Sequence, residues 1–172
     1  MKQVWFIYQE KEEFTQKLLE FKKADGAGST GKRLFQIYSE VLEPEAIREV
    51  TDLIEEHFPD APYIGCSTSG NIIDCELAGD ITVVCTDFEL PTTRFEIFQY
   101  DMAELGVDEI TAQIVEETQK NPWVKAIEMY FTIPEGSTTR FCDGLKEIRE
   151  DIQIFGGVSC SNDITSDDSC VL

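Results

Sequence analysis

The chain reads as an α/β fold with mixed sheets and flanking helices, and three observations predict it. Short apolar runs such as "VWFIY", "RLFQIYS" and "DITVVCTDF" are nearly continuous in hydrophobic residues, as in strands covered on both faces. Between them lie segments whose apolar residues recur at helical spacing. Finally, a strand–helix–strand order followed by a small-residue turn occurs twice.

The first helix is predicted around Phe14, Leu18 and Phe21, which repeat at i, i+4 and i+7. The second carries Ile47, Val50, Ile54 and His57, widened by Leu53 and Phe58, with Pro44 suited to a first turn. A weaker stripe of Ile110, Ile114 and Thr118 stops before Asn121-Pro122. Phe141, Leu145, Ile148 and Ile152 predict a fourth helix. Strands are predicted at "VWFIY", "RLFQIYS", "PYIGCS", "DITVVCTDF", "TRFEIFQY", "AIEMYFTI", "QIFGGVS" and "SCVL". The repeat pairs "RLFQIYS", helix, "YIGCSTSGNI", "GDITVVCTDF" with "AIEMYFTI", helix, "IFGGVSCSNDI", "DDSCVL". Gly65 and Gly156 match at an offset of 91, and Leu34 and Ala126 at 92. A β-α-β-β duplication would make the two small-residue turns equivalent, facing one another across a shared cleft. The second copy stops at Leu172 within an apparent strand, so the chain is expected to be one incomplete domain.

Composition narrows the function. The 172 residues carry 42% hydrophobic residues, including 11 Phe and 2 Trp, enough for a core. The 14 basic and 34 acidic residues give a net charge of −20, which repels phosphate backbones and anionic lipid. Nucleic acid and membrane surfaces are therefore not expected partners. The N-terminal stretch lacks the apolar core of a signal peptide, and no run reaches the length of a membrane span. Six cysteines without a Cys-x-x-Cys pair, several inside apolar runs, suit reduced thiols in the cytoplasm.

Four motifs are weighed against plainer readings. "GAGSTGK", Gly26 to Lys32, fits the Gly-x4-Gly-Lys core of a phosphate loop. However, a helix precedes it, a strand follows it, and Arg33 occupies the hydroxyl position, so it reads as a connector. His57 is the only histidine, which rules out multi-histidine metal sites; it reads as a packing residue near a helix end. The carboxylates of "NDITSDDS" lack calcium-loop spacing and read as a solvated turn. "GCSTSG" lacks the glycine spacing of a nucleophile elbow, and no helix follows it. Its backbone amides and hydroxyls suit a ligand-binding rim as well as a self-capped turn.

"RLFQIYS", "HFPDAPYIGCSTSGNI" and "GDITVVCTDFE", followed by "IREDIQIFGGVSCSND", resemble the N-terminal FIST domain over residues 30–172. The family often has Glu after the first motif's glycine, where this chain has Asn71. Its second motif commonly reads Gly-Gly-x-Ala-x-Asp, whereas this chain has Ser159 and Cys160, with the acid moved to Asp163. The resemblance implies a non-enzymatic cytosolic sensory domain of a bacterial signalling protein. It would precede a FIST C-terminal domain and an output such as a diguanylate cyclase, histidine kinase or chemoreceptor module. The implied ligand is a small molecule such as an amino acid. Gly65, Cys66, Ser67, Thr68, Ser69 and Gly70 would form one wall of the site, and Gly156, Gly157, Ser159 and Asn162 the other. No resident cofactor is expected. Two alternatives stand beside this reading: a haem-based gas sensor using His57, since some members bind haem, and a cysteine-dependent enzyme using Cys66.

Overall fold

In the computed structural model, residues 1–24, 32–78, 81–102, 104–132, 138–161 and 169–172 are described. They fall into two compact units: Met1–Ile97 with Ser159–Leu172, and Phe98–Val158. The motifs "GAGSTG" and "NDITSDD", together with Asn162, lie outside the described residues.

The first unit is built on a four-stranded sheet of order β1-β6-β2-β3. β1 is Lys2–Tyr8, β2 Arg33–Ser39, β3 Tyr63–Ser67 and β6 Ile81–Asp87. β6 lies antiparallel to both β1 and β2, whereas β2 and β3 run parallel. Parallel neighbours need a crossover, and α2 (Pro44–His57) supplies it. Pro44 opens α2 where its missing N–H costs nothing, and the chain leaves before Pro59. α1 (Lys11–Lys23) carries Glu12 and Glu13 in its first turn and Lys22 and Lys23 in its last, matching the helix dipole.

Strand alternation divides the sheet into two faces. Phe6 and Tyr8, Phe35 and Ile37, and Ile81, Val83 and Cys85 point to one face. There they meet Phe14, Leu18 and Phe21 of α1 and Val50, Leu53 and Ile54 of α2, all in one buried cluster. At one end of this core the register partners Arg33 and Asp87 form a buried ion pair, Nη2 to Oδ2 3.4 Å. The guanidinium also lies over the rings of Phe21 and Phe58, at 5.4 and 5.2 Å. The other face bears Gln3, Trp5, Gln36, Tyr38, Thr82, Val84 and Thr86, a mixed polar and apolar surface.

β4 (Asn71–Ile73) and β5 (Glu76–Ala78) form a hairpin closed by a two-residue loop. Both loop residues have positive φ, Asp74 at 52° and Cys75 at 69°. That is the geometry whose twist suits tight hairpins.

The second unit holds a parallel pair, β7 (Ala126–Phe131) and β8 (Gln153–Val158). With it come α3 (Val107–Lys120) and the short α4 (Thr138–Gly144), followed by a 3-10 turn at Leu145–Glu147. Ile110, Phe141, Leu145, Ile148 and Ile152 form its core, and Phe131 stacks on Phe141 at 4.4 Å. Arg149 caps the C-terminal end of α3, donating to the carbonyls of Thr118 (2.7 Å) and Val124 (2.9 Å).

The α/β class with mixed sheets is therefore observed, with departures in detail. The predicted fourth helix stops at Gly144, glycine being a poor helix former, and Ile148 is already extended at φ −69°, ψ 142°. The spacing of Ile148 and Ile152 reports burial without helix. "TRFEIFQY" forms no strand, since no described segment offers it a ladder of backbone partners.

Candidate functional site

The first small-residue turn grows from the end of β3. Gly65 pairs with Ile37 of β2, and a Cβ at this position would lie 2.1 Å from the Ile37 carbonyl oxygen. Only glycine lets the two backbones come this close. Gly156 repeats the arrangement in the second unit: it pairs with Met129, and its Cβ would lie 1.8 Å from that carbonyl oxygen, at φ +136°. Ile37 and Met129 are 92 residues apart and the glycines 91, so each parallel pair places its glycine at a matching position. The correspondence covers the strand–helix–strand part of the predicted duplication; the turn that follows it in the second copy lies partly outside the described residues.

Beyond Gly65 the side chains divide into buried supports and an exposed rim. Cys66 is buried. Ser67 is 1% exposed, and its Oγ accepts from the Cys170 amide at 3.0 Å. The Ser67 amide donates to the Cys170 carbonyl at 2.9 Å, and Cys66 forms an antiparallel bridge with Val171. The "SCVL" segment thus adds one rung to β3 instead of a full strand. The Thr68 amide donates to the Ser39 carbonyl (2.8 Å), and its hydroxyl donates to Asn71 Oδ1 (3.1 Å). Asn71 Nδ2 in turn donates to the Tyr38 carbonyl (3.3 Å). Asn71 is therefore the buried brace of the turn, at the position where the sequence departs from the family's common glutamate. Its asparagine identity next to Gly70 was a turn signal that could have revealed this role.

Ser69 and Gly70 are exposed. The second motif contributes here through Ser159 and Cys160. The Cys160 amide donates to the Ser67 carbonyl at 3.1 Å, and its thiol lies 3.7 Å from Ser69 Oγ. Ser159 is 3% exposed. The structure thus brings together Gly65, Cys66, Ser67, Thr68, Ser69, Gly70, Ser159 and Cys160. Gly156 and Gly157 belong to the second unit, at the end of β8.

Cys66 makes a poor nucleophile. Burial pushes its thiol up to about 11, helped by the neighbouring Cys160 and Cys170 thiols. It is therefore a neutral thiol near pH 7, and the thiolate is the reactive species. Timed iodoacetamide labelling with mass spectrometry should modify the exposed Cys75, Cys142 and Cys160 well before Cys66. The His57 Nε2 is buried without a hydrogen-bond partner among the described residues. It also lines neither of the two cavities below. Among the described residues, no group of three or more His, Cys, Asp or Glu could hold a metal ion.

A cavity of about 340 Å³ adjoins the turn and shares Asn71 with it. It lies over the sheet face opposite the core. A second, of about 380 Å³ in the other unit, is an open acidic groove along α3, lined by Asp108, Glu116 and Glu147 among others.

The FIST N domain family model matches residues 33–172, and the chain belongs to this family of signal-transduction sensory domains. No curated protein and no solved structure matches the chain. Among the described residues, no helix is long and apolar enough to cross a membrane.

Proposed function

We propose that this chain is the ligand-sensing part of a cytoplasmic bacterial signalling protein. It binds a small molecule, such as an amino acid, and regulates a downstream output such as a diguanylate cyclase or histidine kinase. A FIST C-terminal domain would lie between sensor and output. The observation that carries the reading is the FIST N domain match over residues 33–172. The local geometry supports it: Ser69, Gly70 and Cys160 form an exposed polar rim on a braced base of Cys66, Ser67, Thr68 and Asn71. Such a base holds backbone amides and hydroxyls in place before a ligand arrives, which lowers the ordering cost of binding. The mechanism is a population shift, in which ligand favours one of two conformations that the output distinguishes.

The test is a thermal-shift screen of amino acids and other metabolites on the full-length protein. A ligand that raises Tm, and loses its effect in Ser69→Ala, supports the reading. A screen in which no class of ligand moves Tm removes it.

A further inference from the structure

The cavity over the open sheet face has the features of a binding site in its own right. Its floor comes from β1, β6 and β2, and its wall from the β4–β5 hairpin. Trp5, Val84, Ile72 and Ile73 give it an apolar lining. Trp5 is 48% exposed and Ile72 74%, although both border a cavity that a ligand would fill. The volume sits at the lower end of small-molecule sites, which run from roughly 300 to 1,000 Å³, and suits a body of one or two rings.

The floor also carries a polar group without a partner. Thr82 is 4% exposed, and its Oγ1 has no hydrogen-bond partner among the described residues. Its neighbours on this face are already committed. Gln3 Nε2 donates to Thr86 Oγ1 (2.9 Å), which donates on to Gln36 Oε1 (3.4 Å). Asn71 is held by Thr68 and Tyr38. A buried hydroxyl left without a partner costs stability, and one lining a cavity gains its partner when a polar ligand group enters.

Charge selects the ligand class. Among the described residues no lysine or arginine lines the cavity and the one charged lining residue is the Asp74 carboxylate at the hairpin tip; the chain carries −20 overall. An anionic ligand would be repelled, whereas a cation is drawn in. We propose that this cavity binds a primary amine carried on a small aromatic or branched apolar body. The body packs on Trp5, Val84 and Ile72, and the ammonium donates to Thr82 Oγ1 and pairs with Asp74. The role in signalling rests on the ligand-sensing reading above; the binding itself does not.

The probe is 2-phenylethylamine, with phenylacetate as its anionic counterpart of similar shape. Trp5 fluorescence is followed in the 172-residue chain carrying Trp123→Phe, so that one of its two indoles reports. The amine should give a saturable change in a titration to about 10 mM, a range suited to a nine-atom ligand; phenylacetate should give none. Thr82→Val should weaken amine binding about fivefold, and Asp74→Asn about threefold. Because Thr82→Val removes an unpartnered buried hydroxyl at constant shape, it should also raise Tm. No saturable response to the amine, an equal response to phenylacetate, or unchanged binding in both variants would overturn the proposal. A fall in Tm for Thr82→Val would also overturn it, by showing that the hydroxyl is already satisfied. If the amine fails while another metabolite class shifts Tm through Ser69, ligand sensing stands and this cavity assignment falls. If nothing binds at all, both fall.

Discussion

The two parallel strand pairs share one construction and differ in what surrounds it. β2 and β3 enclose α2, β7 and β8 enclose α4 with its 3-10 turn, and each pair is pinned where a glycine faces a carbonyl oxygen. In the first unit, β6 lies along β2, and two helices bury one face of the sheet; β2 is buried at every second residue. In the second, the pair stands as a two-stranded sheet, and most of β8 is exposed, including Ile154 and Phe155. The glycine contact thus belongs to the strand–helix–strand unit itself, whereas burial is set by the partners each copy acquires.

The sharpest way to separate the copies is through their charges. Asp87→Ala removes the buried carboxylate paired with Arg33 and should cost the first unit about 3–5 kcal/mol. Asp151→Ala in the second unit removes solvent-screened pairs with Lys125 and Arg149 and should leave stability almost unchanged. Urea unfolding followed by near-ultraviolet circular dichroism reads both. Equal effects would erase the contrast in burial.

The shared element is probed by Gly65→Ala and Gly156→Ala. Each methyl group meets backbone that cannot move aside cheaply, so each should destabilise by about 1–3 kcal/mol. Gly156→Ala carries an added strain from its positive φ. If one substitution is silent, the two pairs are not the same construction.

Ser67→Ala should cost about 1 kcal/mol by removing the acceptor of the Cys170 amide. Hydrogen exchange at that amide should accelerate while exchange in the second unit stays unchanged.

The smallest effects are on pH dependence, and they fall at opposite ends. Tyr8 of the first unit is pushed from 10.0 to about 12, first by burial and then by donating to Glu49. Its stabilising contribution is complete below pH 10 and disappears as pH climbs through 12. Asp151 of the second unit is lowered from 3.8 to about 2 by hydrogen bonds from Lys125 and then Arg149. Its contribution is present above pH 4 and lost as pH falls through 2. Nuclear magnetic resonance titration of the two side chains checks both directions.

The strands that carry the fold were legible because their apolar runs are short and bounded by turn residues. α1 and α2 were legible because their buried residues keep helical spacing. The fourth helix misled because Phe141, Leu145, Ile148 and Ile152 are all buried, and burial at helical spacing does not require helix once Gly144 intervenes. At the turn, the sequence located the loop but not the division of labour within it. Cys66 and Ser67 support the base from below, a consequence of strand register and of a contact with residue 170. Asn71 reads in sequence as a departure from a motif, whereas its role comes from two hydrogen bonds, one from Thr68 and one to the Tyr38 carbonyl. The open-face cavity was invisible in sequence, since Trp5, Thr82 and Asp74 come from three separate segments and meet only through the β1–β6 register and the hairpin.

β3 is the edge of its sheet, and its last rung is made by a segment 103 residues further along. During synthesis at about 5–20 residues per second, that edge emerges and then waits about 5–20 s for Cys170 to follow. Over this interval the strand ending in Cys66 and Ser67 is an open template for other strands. The nascent chain's exposure to misassembly is therefore set by translation speed between residues 67 and 170.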